Sequence, residues 1–391
     1  MGTKTKKGMV AFAISTLPLG AMAETWVYTP IITLGASYDD NFRLTTAPHG
    51  SVTGANVRAA LAFTRVSDEL SVDGRGVLDF NRYSGDKVPN ENNQALYATI
   101  ARRLELDTFK LFGSYKRDTT LKDINQGFDL NDPTLVPDPD AGITTTRIRR
   151  NTFRLLPSWK RQLDELTDMT LDYEYRNVSY KDGDVVSLND YDSHRLRGTV
   201  SRHLTELDTG SVSVSYLTYN SDAANADYDS YSISVGFDHA FDETLKGGAR
   251  LGWRSTNSDT GDDTGLVYEL HVRKDTELAI YSAKLERRLA PSGTGDRNDT
   301  DQLLLQMKRS LSPTLDLNIR ARYFKVDSNN DNNDRDYLSF EPGISWSFRQ
   351  WWTLGFSYTY RRQKYDRAAS SADGNTFYLS VSYAKPSGPT K

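Results

Sequence analysis

Arginine recurs at polar positions of the chain that lie between apolar residues, and this residue type can bind anions. A planar guanidinium donates paired hydrogen bonds to a carboxylate or a phosphate, so arginines gathered on one wall would recognise anionic solutes. The chemistry is binding and contains no catalytic step. The candidate wall residues are Arg58, Arg75, Arg150, Arg154, Arg176, Arg197, Arg250, Arg254, Arg288, Arg320, Arg322, Arg349 and Arg361.

Acidic residues on the same wall leave two interpretations of these arginines open. A wall with surplus positive charge inside a low-dielectric tube would focus a positive potential and favour anionic solutes. Alternatively, each arginine pairs with an acid on the adjacent strand and only makes the wall rigid. The candidate inward acids are Asp73, Asp79, Asp172, Glu174, Asp238, Glu269, Glu286, Asp316 and Glu341.

Catalytic and metal-binding patterns are weak in this sequence. There is no cysteine, and none of the five histidines stands in a local pattern with serine and asparagine that would indicate a lipase triad. The acidic run over residues 327–334 lacks the glycine and the closing glutamate of an EF-hand calcium loop. We therefore expect no enzyme activity, no cofactor and no metal site.

The elements that must position the arginines are β-strands that alternate apolar and polar residues. Over residues 337–383 three such runs follow one another, each about ten residues long, which suits a tilted strand that crosses a bilayer. Aromatic residues near the strand ends are expected at the lipid headgroups. The candidate interface aromatics are Trp159, Trp253, Trp346, Trp352, Tyr358, Tyr360 and Tyr383.

Long polar loops and very short turns alternate from residue 29 to the end of the chain. This pattern predicts an all-β protein with a single transmembrane antiparallel β-barrel of about 18 strands (16–18), with short periplasmic turns and long extracellular loops. Loop 119–145 is long enough to fold inward as a constriction. A hydrophobic content of 37% argues against a helical membrane protein.

The N-terminus resembles a secretory signal. Three lysines precede an apolar run that is too short to span a membrane as a helix, and Ala21-Met22-Ala23 supplies small residues for cleavage. We expect residues 1–23 to be a cleaved signal peptide and residues 24–391 to form the barrel. The predicted location is the outer membrane of a Gram-negative bacterium, with outer-membrane lipid and lipopolysaccharide around the protein.

Two segments give the chain a resemblance to a known family. Residues 30–43 (PIITLGASYDDNFR) and residues 287–295 (RRLAPSGTG) resemble the β-barrel porin 2 family. The resemblance implies an outer-membrane porin associated with exopolysaccharide export. It further implies a secreted polysaccharide as cargo and a periplasmic polysaccharide export protein as partner.

The main functional prediction is therefore a conduit for exopolysaccharide through a hydrated lumen lined by arginine and tyrosine. The first alternative is a general or nutrient diffusion porin for small anionic solutes. The second alternative is a structural or adhesive surface barrel that conducts nothing. None of the three involves nucleic acid.

Overall fold

The computed structural model describes residues 26–48, 50–84, 90–120, 147–181, 188–259, 261–328, 334–366 and 370–387. The predicted signal peptide over residues 1–23 lies outside these ranges. In the described part of the chain, no helix is long and apolar enough to cross a membrane.

The described chain forms one closed antiparallel sheet, as the alternating pattern predicts. Each strand pairs with its sequence neighbours, and β1 also pairs with β18, which closes the barrel. The strands are β1 (Val27–Asp39), β2 (Val52–Val66), β3 (Leu70–Tyr83), β4 (Glu91–Arg103), β5 (Asp107–Thr119), β6 (Arg149–Gln162), β7 (Thr167–Lys181), β8 (Tyr191–His203), β9 (Asp208–Ser221), β10 (Tyr228–Ala240), β11 (Leu245–Ser258), β12 (Asp263–Asp275), β13 (Ala279–Ala290), β14 (Asn298–Ser312), β15 (Leu315–Ser328), β16 (Arg335–Arg349), β17 (Trp352–Tyr365) and β18 (Ala372–Ala384).

Apolar side chains cover the outside of the barrel. On β1, Ile32 and Leu34 are 51% and 56% exposed, and Val235 on β10 is 60% exposed. Successive side chains of a strand point to opposite faces, so the polar neighbours of these residues point into the lumen. A closed barrel with a continuous apolar outer band is stable only in lipid. The protein is an outer-membrane β-barrel.

The two ends of the barrel differ in their connections. At one end the strands are joined by short turns such as residues 67–69 and 313–314, and both ends of the described chain lie there. At the other end the connections are longer, and the longest covers residues 120–148. Short turns are periplasmic in bacterial outer-membrane barrels, so the end with long connections is extracellular.

The predicted interface aromatics point outward. Trp253, Trp346 and Trp352 are 51%, 48% and 39% exposed. Tyr383 packs against Trp352 with ring centroids 5.0 Å apart. The remaining three have polar partners: Trp159 donates to Asp107, Tyr358 to Asn375 and Tyr360 to Asp373. An apolar ring with one polar contact is the arrangement that suits a headgroup layer.

Candidate functional site in the lumen

The inner wall surrounds two large cavities that together form the candidate site. The first has a volume of about 810 Å³ and includes Arg58, Arg75 and Arg320 in its lining. The second has a volume of about 510 Å³ and is lined in part by Arg154, Arg197, Arg250, Arg254 and Arg288. Eight of the predicted wall arginines therefore border the lumen space.

Most of these arginines have a carboxylate partner on the wall. A guanidinium held by an acid on the same strand or on a neighbouring one adds little net positive charge, and a pair between strands also braces the wall. This observation favours the wall-bracing interpretation for the paired residues. The pairs are Arg58 with Asp79 (3.1 Å), Arg154 with Glu174 (2.7 Å), Arg250 with Glu269 (3.6 Å), Arg288 with Glu286 (3.8 Å) and Arg320 with Glu341.

A second group of arginines lies near the extracellular end of the wall, and all of its members except Arg176 are buried. The Arg150 guanidinium lies 3.2 Å from the Asp118 carboxylate, and Arg361 lies 2.7 Å from Asp39. Arg254 contacts Asp263 at 2.7 Å and also Asp299. Arg176 lies over the ring of Tyr191, and Arg322 lies over the ring of Phe324. These side chains stabilise the mouth of the barrel, because a buried charge persists only with such partners.

Three of the cations that line the two cavities have no carboxylate within ion-pair distance among the described residues. They are Arg75 on β3, Lys110 on β5 and Arg197 on β8, and each is exposed to the lumen. An exposed cation that is not held in an ion pair can attract a passing anion directly. Asp172 on β7 is opposite Arg197 in the sheet and offsets part of its charge without reaching ion-pair distance. The interpretation of a positively charged wall therefore rests on these residues and not on the whole arginine set.

Serines form the wall between the arginines of the second cavity. Ser213 and Ser215 on β9 and Ser232 and Ser234 on β10 line this cavity, and the Ser215 and Ser232 hydroxyls are 2.8 Å apart. Such short side chains leave open space in the cavity. Arg197 on β8 is the cross-strand partner of Ser215 and borders this space. Hydroxyls beside a cation can hydrogen-bond a solute that carries both hydroxyl and carboxylate groups.

One loop folds into the mouth over residues 40–48, which we call the first mouth loop. Its Phe42 and Leu44 pack with Phe324 and Tyr337, which belong to β15 and β16. The Asn41 side-chain amide donates to the backbone carbonyl of Asp373 at 2.8 Å, which ties the loop to β18. Apolar packing and this hydrogen bond hold the loop inside the barrel rim.

Residues 291–297 form the second mouth loop, which packs on the lumen side of β8 and β9 at the extracellular ends of these strands. The buried Tyr219 hydroxyl donates to the Ser292 carbonyl at 2.5 Å. The Asn189 backbone N–H donates to the Gly293 carbonyl at 2.7 Å. A Cβ on Gly293 would lie 2.6 Å from the Tyr180 hydroxyl, so only glycine allows this close approach. The second mouth loop therefore narrows the extracellular opening.

Removing the Tyr219 hydroxyl should loosen the second mouth loop. In Tyr219→Phe the buried Ser292 carbonyl loses its shorter hydrogen bond and keeps the 3.3 Å one from the Gly295 N–H, which costs about 0.5–1.5 kcal/mol locally. We expect faster hydrogen exchange at the Asn189 amide and a larger single-channel conductance. Tyr115→Phe, which removes an exposed hydroxyl on the outer face, is the matched control. Equal exchange and conductance in both variants would show that this hydrogen bond does not hold the loop.

Neither mouth loop was predicted from the sequence to fold inward, and the constriction was predicted in a different loop. The predicted constriction over residues 119–145 falls almost entirely outside the described residues, which here end at Thr120 and resume at Arg147. Phe42 and Leu44 were a usable signal, because two large apolar residues inside a polar loop require a place to pack. The serines at alternate positions of β9 and β10 were equally visible in the sequence.

Neither the predicted wall residue Arg349 nor any described histidine lines the two cavities. Arg349 is exposed at the periplasmic end of β16, beside a register shift between Trp346 and Arg349, and it borders neither cavity. Among the histidines, His271 lies 3.2 Å from Asp238 on the inner wall. Within the described ranges no group of three or more histidine and acidic side chains could hold a metal ion.

Comparisons with known proteins place the fold but not the family. No protein-family model and no curated protein sequence matches the chain. The structure is similar to a BenF-like porin from Pseudomonas fluorescens Pf-5, with a TM-score of 0.50 and 10% identity over 92% of this chain and 99% of that one. It is also similar to OccAB4 from Acinetobacter baumannii, with a TM-score of 0.49 and 11% identity over 93% and 99% of the two chains. The fold of this chain is thus that of an outer-membrane porin.

Proposed function

We propose that the barrel is a diffusion porin that admits small anionic solutes. The single observation that carries this proposal is the set of lumen cations that face open space without a carboxylate partner among the described residues, Arg75, Lys110 and Arg197. Such cations raise the local concentration of anions in a channel of low-dielectric walls.

The narrowed extracellular opening favours passage of small solutes over passage of a polymer. The first and second mouth loops enter the extracellular opening from different parts of the barrel and are tied to the wall by buried contacts. A polymer that is threaded through this opening would have to displace them. A solute that diffuses through singly needs only the space that remains.

The similarity in fold to a BenF-like porin agrees with this proposal without establishing it, since that likeness shows the fold alone. The exopolysaccharide conduit is implied by the resemblance of residues 30–43 and 287–295, and it stays a prediction together with its cargo and its periplasmic partner. A non-conducting barrel would not need the lumen space that the two cavities provide.

The ion selectivity of the purified protein in planar bilayers tests the proposal. The wild-type channel should prefer chloride over potassium in a salt gradient. In Arg197→Gln the preference should fall about fourfold, since a charge about 5 Å from a passing ion in water contributes on the order of 1 kcal/mol. Arg202→Gln is the control, because Arg202 belongs to the same strand and lies near Asp164 in a periplasmic turn.

Each alternative predicts a different result in the same experiment. Cation preference in the wild-type channel, or equal selectivity in the two variants, would contradict the proposed role of the wall. Block of the current by an acidic polysaccharide applied from the periplasmic side, with no block by small carboxylates, would favour the conduit. Absence of any current would favour the structural barrel.

A further inference from the structure

Three arginines form a cluster on the outside of the barrel, away from the lumen. Arg82, Arg117 and Arg149, which we call the rim arginines, lie on β3, β5 and β6 near the extracellular ends of these strands. Their sequence neighbours Tyr83, Lys116 and Arg150 point inward, so the rim arginines point outward. They therefore face the lipid headgroups of the outer leaflet.

Hydrogen bonds bring the rim arginines together. The Arg82 guanidinium donates to the Asn92 side-chain oxygen at 3.0 Å, and the Arg149 guanidinium donates to the Asn92 backbone carbonyl at 3.3 Å. Arg117 lies on the strand between them, opposite Gln94 on β4 and Asn151 on β6. The Asn92 amide and its backbone carbonyl thus orient Arg82 and Arg149 without cancelling their charge. The residue opposite Arg149 on β7 is a further cation, Lys181, and not an acid.

No carboxylate lies within ion-pair distance of the rim arginines among the described residues. The nearby acids Glu91 and Asp118 are only 3% and 6% exposed and belong to the inner face. Glu91 accepts a hydrogen bond from Thr119, and Asp118 accepts two from Arg150. The charge of the outer cluster is therefore uncompensated by these inner acids.

Elsewhere the outer face near the extracellular end carries acidic side chains. On β9 to β18, tyrosine hydroxyls donate to aspartates at the same level: Tyr216 to Asp229 at 2.8 Å, Tyr268 to Asp301 at 2.8 Å and Tyr360 to Asp373 at 2.7 Å. Outward arginines at the periplasmic end also have acidic partners, as in Arg102 with Glu69 and Arg161 with Asp107. The rim arginines differ from both groups because no such partner occurs for them in the part of the chain that the structure describes.

Aromatic side chains lie directly below the cluster. Tyr115 and Phe153 are 41% and 40% exposed on the outer face, and the Tyr115 hydroxyl donates to Asn151. Outward aromatics mark the boundary between acyl chains and headgroups. The rim arginines therefore lie at the depth of the headgroup phosphates, where paired guanidinium donors bind phosphate oxygens well.

We infer that the rim arginines form a binding site for the phosphates of lipid A, the membrane anchor of lipopolysaccharide. The choice of this lipid follows from the leaflet, because lipopolysaccharide occupies the extracellular side of the outer membrane and phospholipid the periplasmic side. The site is independent of the lumen, so it does not depend on the proposed transport function.

Binding of lipid A to the purified full-length protein in detergent tests this site, with bisphosphorylated lipid A, dephosphorylated lipid A and inorganic phosphate as probes. The wild type should bind bisphosphorylated lipid A far more tightly than either other probe. The variant Arg82→Gln/Arg117→Gln/Arg149→Gln should bind it about 100-fold more weakly, since each cation near a membrane surface contributes about 1 kcal/mol. The matched control Arg102→Gln/Arg161→Gln/Arg202→Gln should bind as the wild type does.

Wild-type affinity in the triple variant, an equal loss in the control, or equal binding of dephosphorylated lipid A would overturn the inference. Tight binding of inorganic phosphate alone would show an anion site that does not require the lipid, and would also overturn it. If the triple variant does not fold, Arg117→Gln replaces it, because Arg117 makes no hydrogen bond to a described side chain. That variant should bind about fivefold more weakly.

Discussion

Arg361→Ala should lower the free energy of unfolding by about 3–5 kcal/mol, because it leaves the Asp39 carboxylate buried without its cation. Arg361 is fully buried on β17, and its guanidinium lies 2.7 Å from the Asp39 carboxylate. The same carboxylate also accepts from Thr376 and from the Asn41 backbone. Asn41 begins the first mouth loop, so we expect that loop to loosen and the single-channel conductance to rise.

Urea unfolding in phospholipid vesicles measures the first effect, and planar-bilayer recordings measure the second. Arg102→Ala is the control, because the side chains of Arg102 and its partner Glu69 are 52% and 69% exposed. That pair should contribute about 0–1 kcal/mol. Adding Asp39→Asn to Arg361→Ala should recover part of the lost stability. Equal destabilisation by the two arginine variants would contradict the assignment of Arg361 to a buried pair.

Val235→Arg should destabilise the barrel by about 2–4 kcal/mol, since an arginine on the lipid face at the bilayer midplane is costly. Val235 lies in the middle of β10, opposite Val212 on β9 and Leu251 on β11, and all three are exposed on the outer face. The substituted guanidinium would lie among apolar side chains and lipid acyl chains. Its two cross-strand neighbours, Val212 and Leu251, are apolar and offer it no carboxylate.

The adjacent substitution Ser234→Arg supplies the control, because its side chain points into the hydrated second cavity. We expect that variant to unfold at a urea concentration close to that of the wild type and to increase the preference for anions. Similar destabilisation by both variants would contradict the assignment of one face of β10 to lipid and the other to the hydrated lumen. The two variants differ only in the face of β10 to which the new arginine points, since the two positions are neighbours and receive the same residue.

Much of the fold follows from local patterns in the sequence. A strand with lipid on one side and water on the other must alternate with a period of two, so the pattern of residues such as Ile32 and Leu34 determines both the strand and its orientation. Short turns also determine register. The turn over residues 67–69 places Arg58 opposite Asp79, so this ion pair could be predicted from the hairpin alone.

Other features depend on contacts between distant parts of the chain. The pair of Arg361 with Asp39 crosses from β17 over β18 to β1, and only the closed barrel brings these residues together. The first mouth loop packs on β15 and β16, which follow it by more than two hundred residues. Neither turn length nor periodicity specifies such contacts, so the identity of the inward loops could not be predicted from local pattern.

The pairing of β1 with β18 also has a consequence for how the barrel assembles. Every other strand pairs with a sequence neighbour, so hairpins can add to the sheet one after another. The last pairing joins Ile31 to Ala384 and Asp39 to Thr376, the most distant partners in the chain. Until it forms, β1 and β18 each present a row of unpaired backbone groups that can recruit other strands. Seam closure is therefore the step at which an unfinished barrel is most exposed to misassembly.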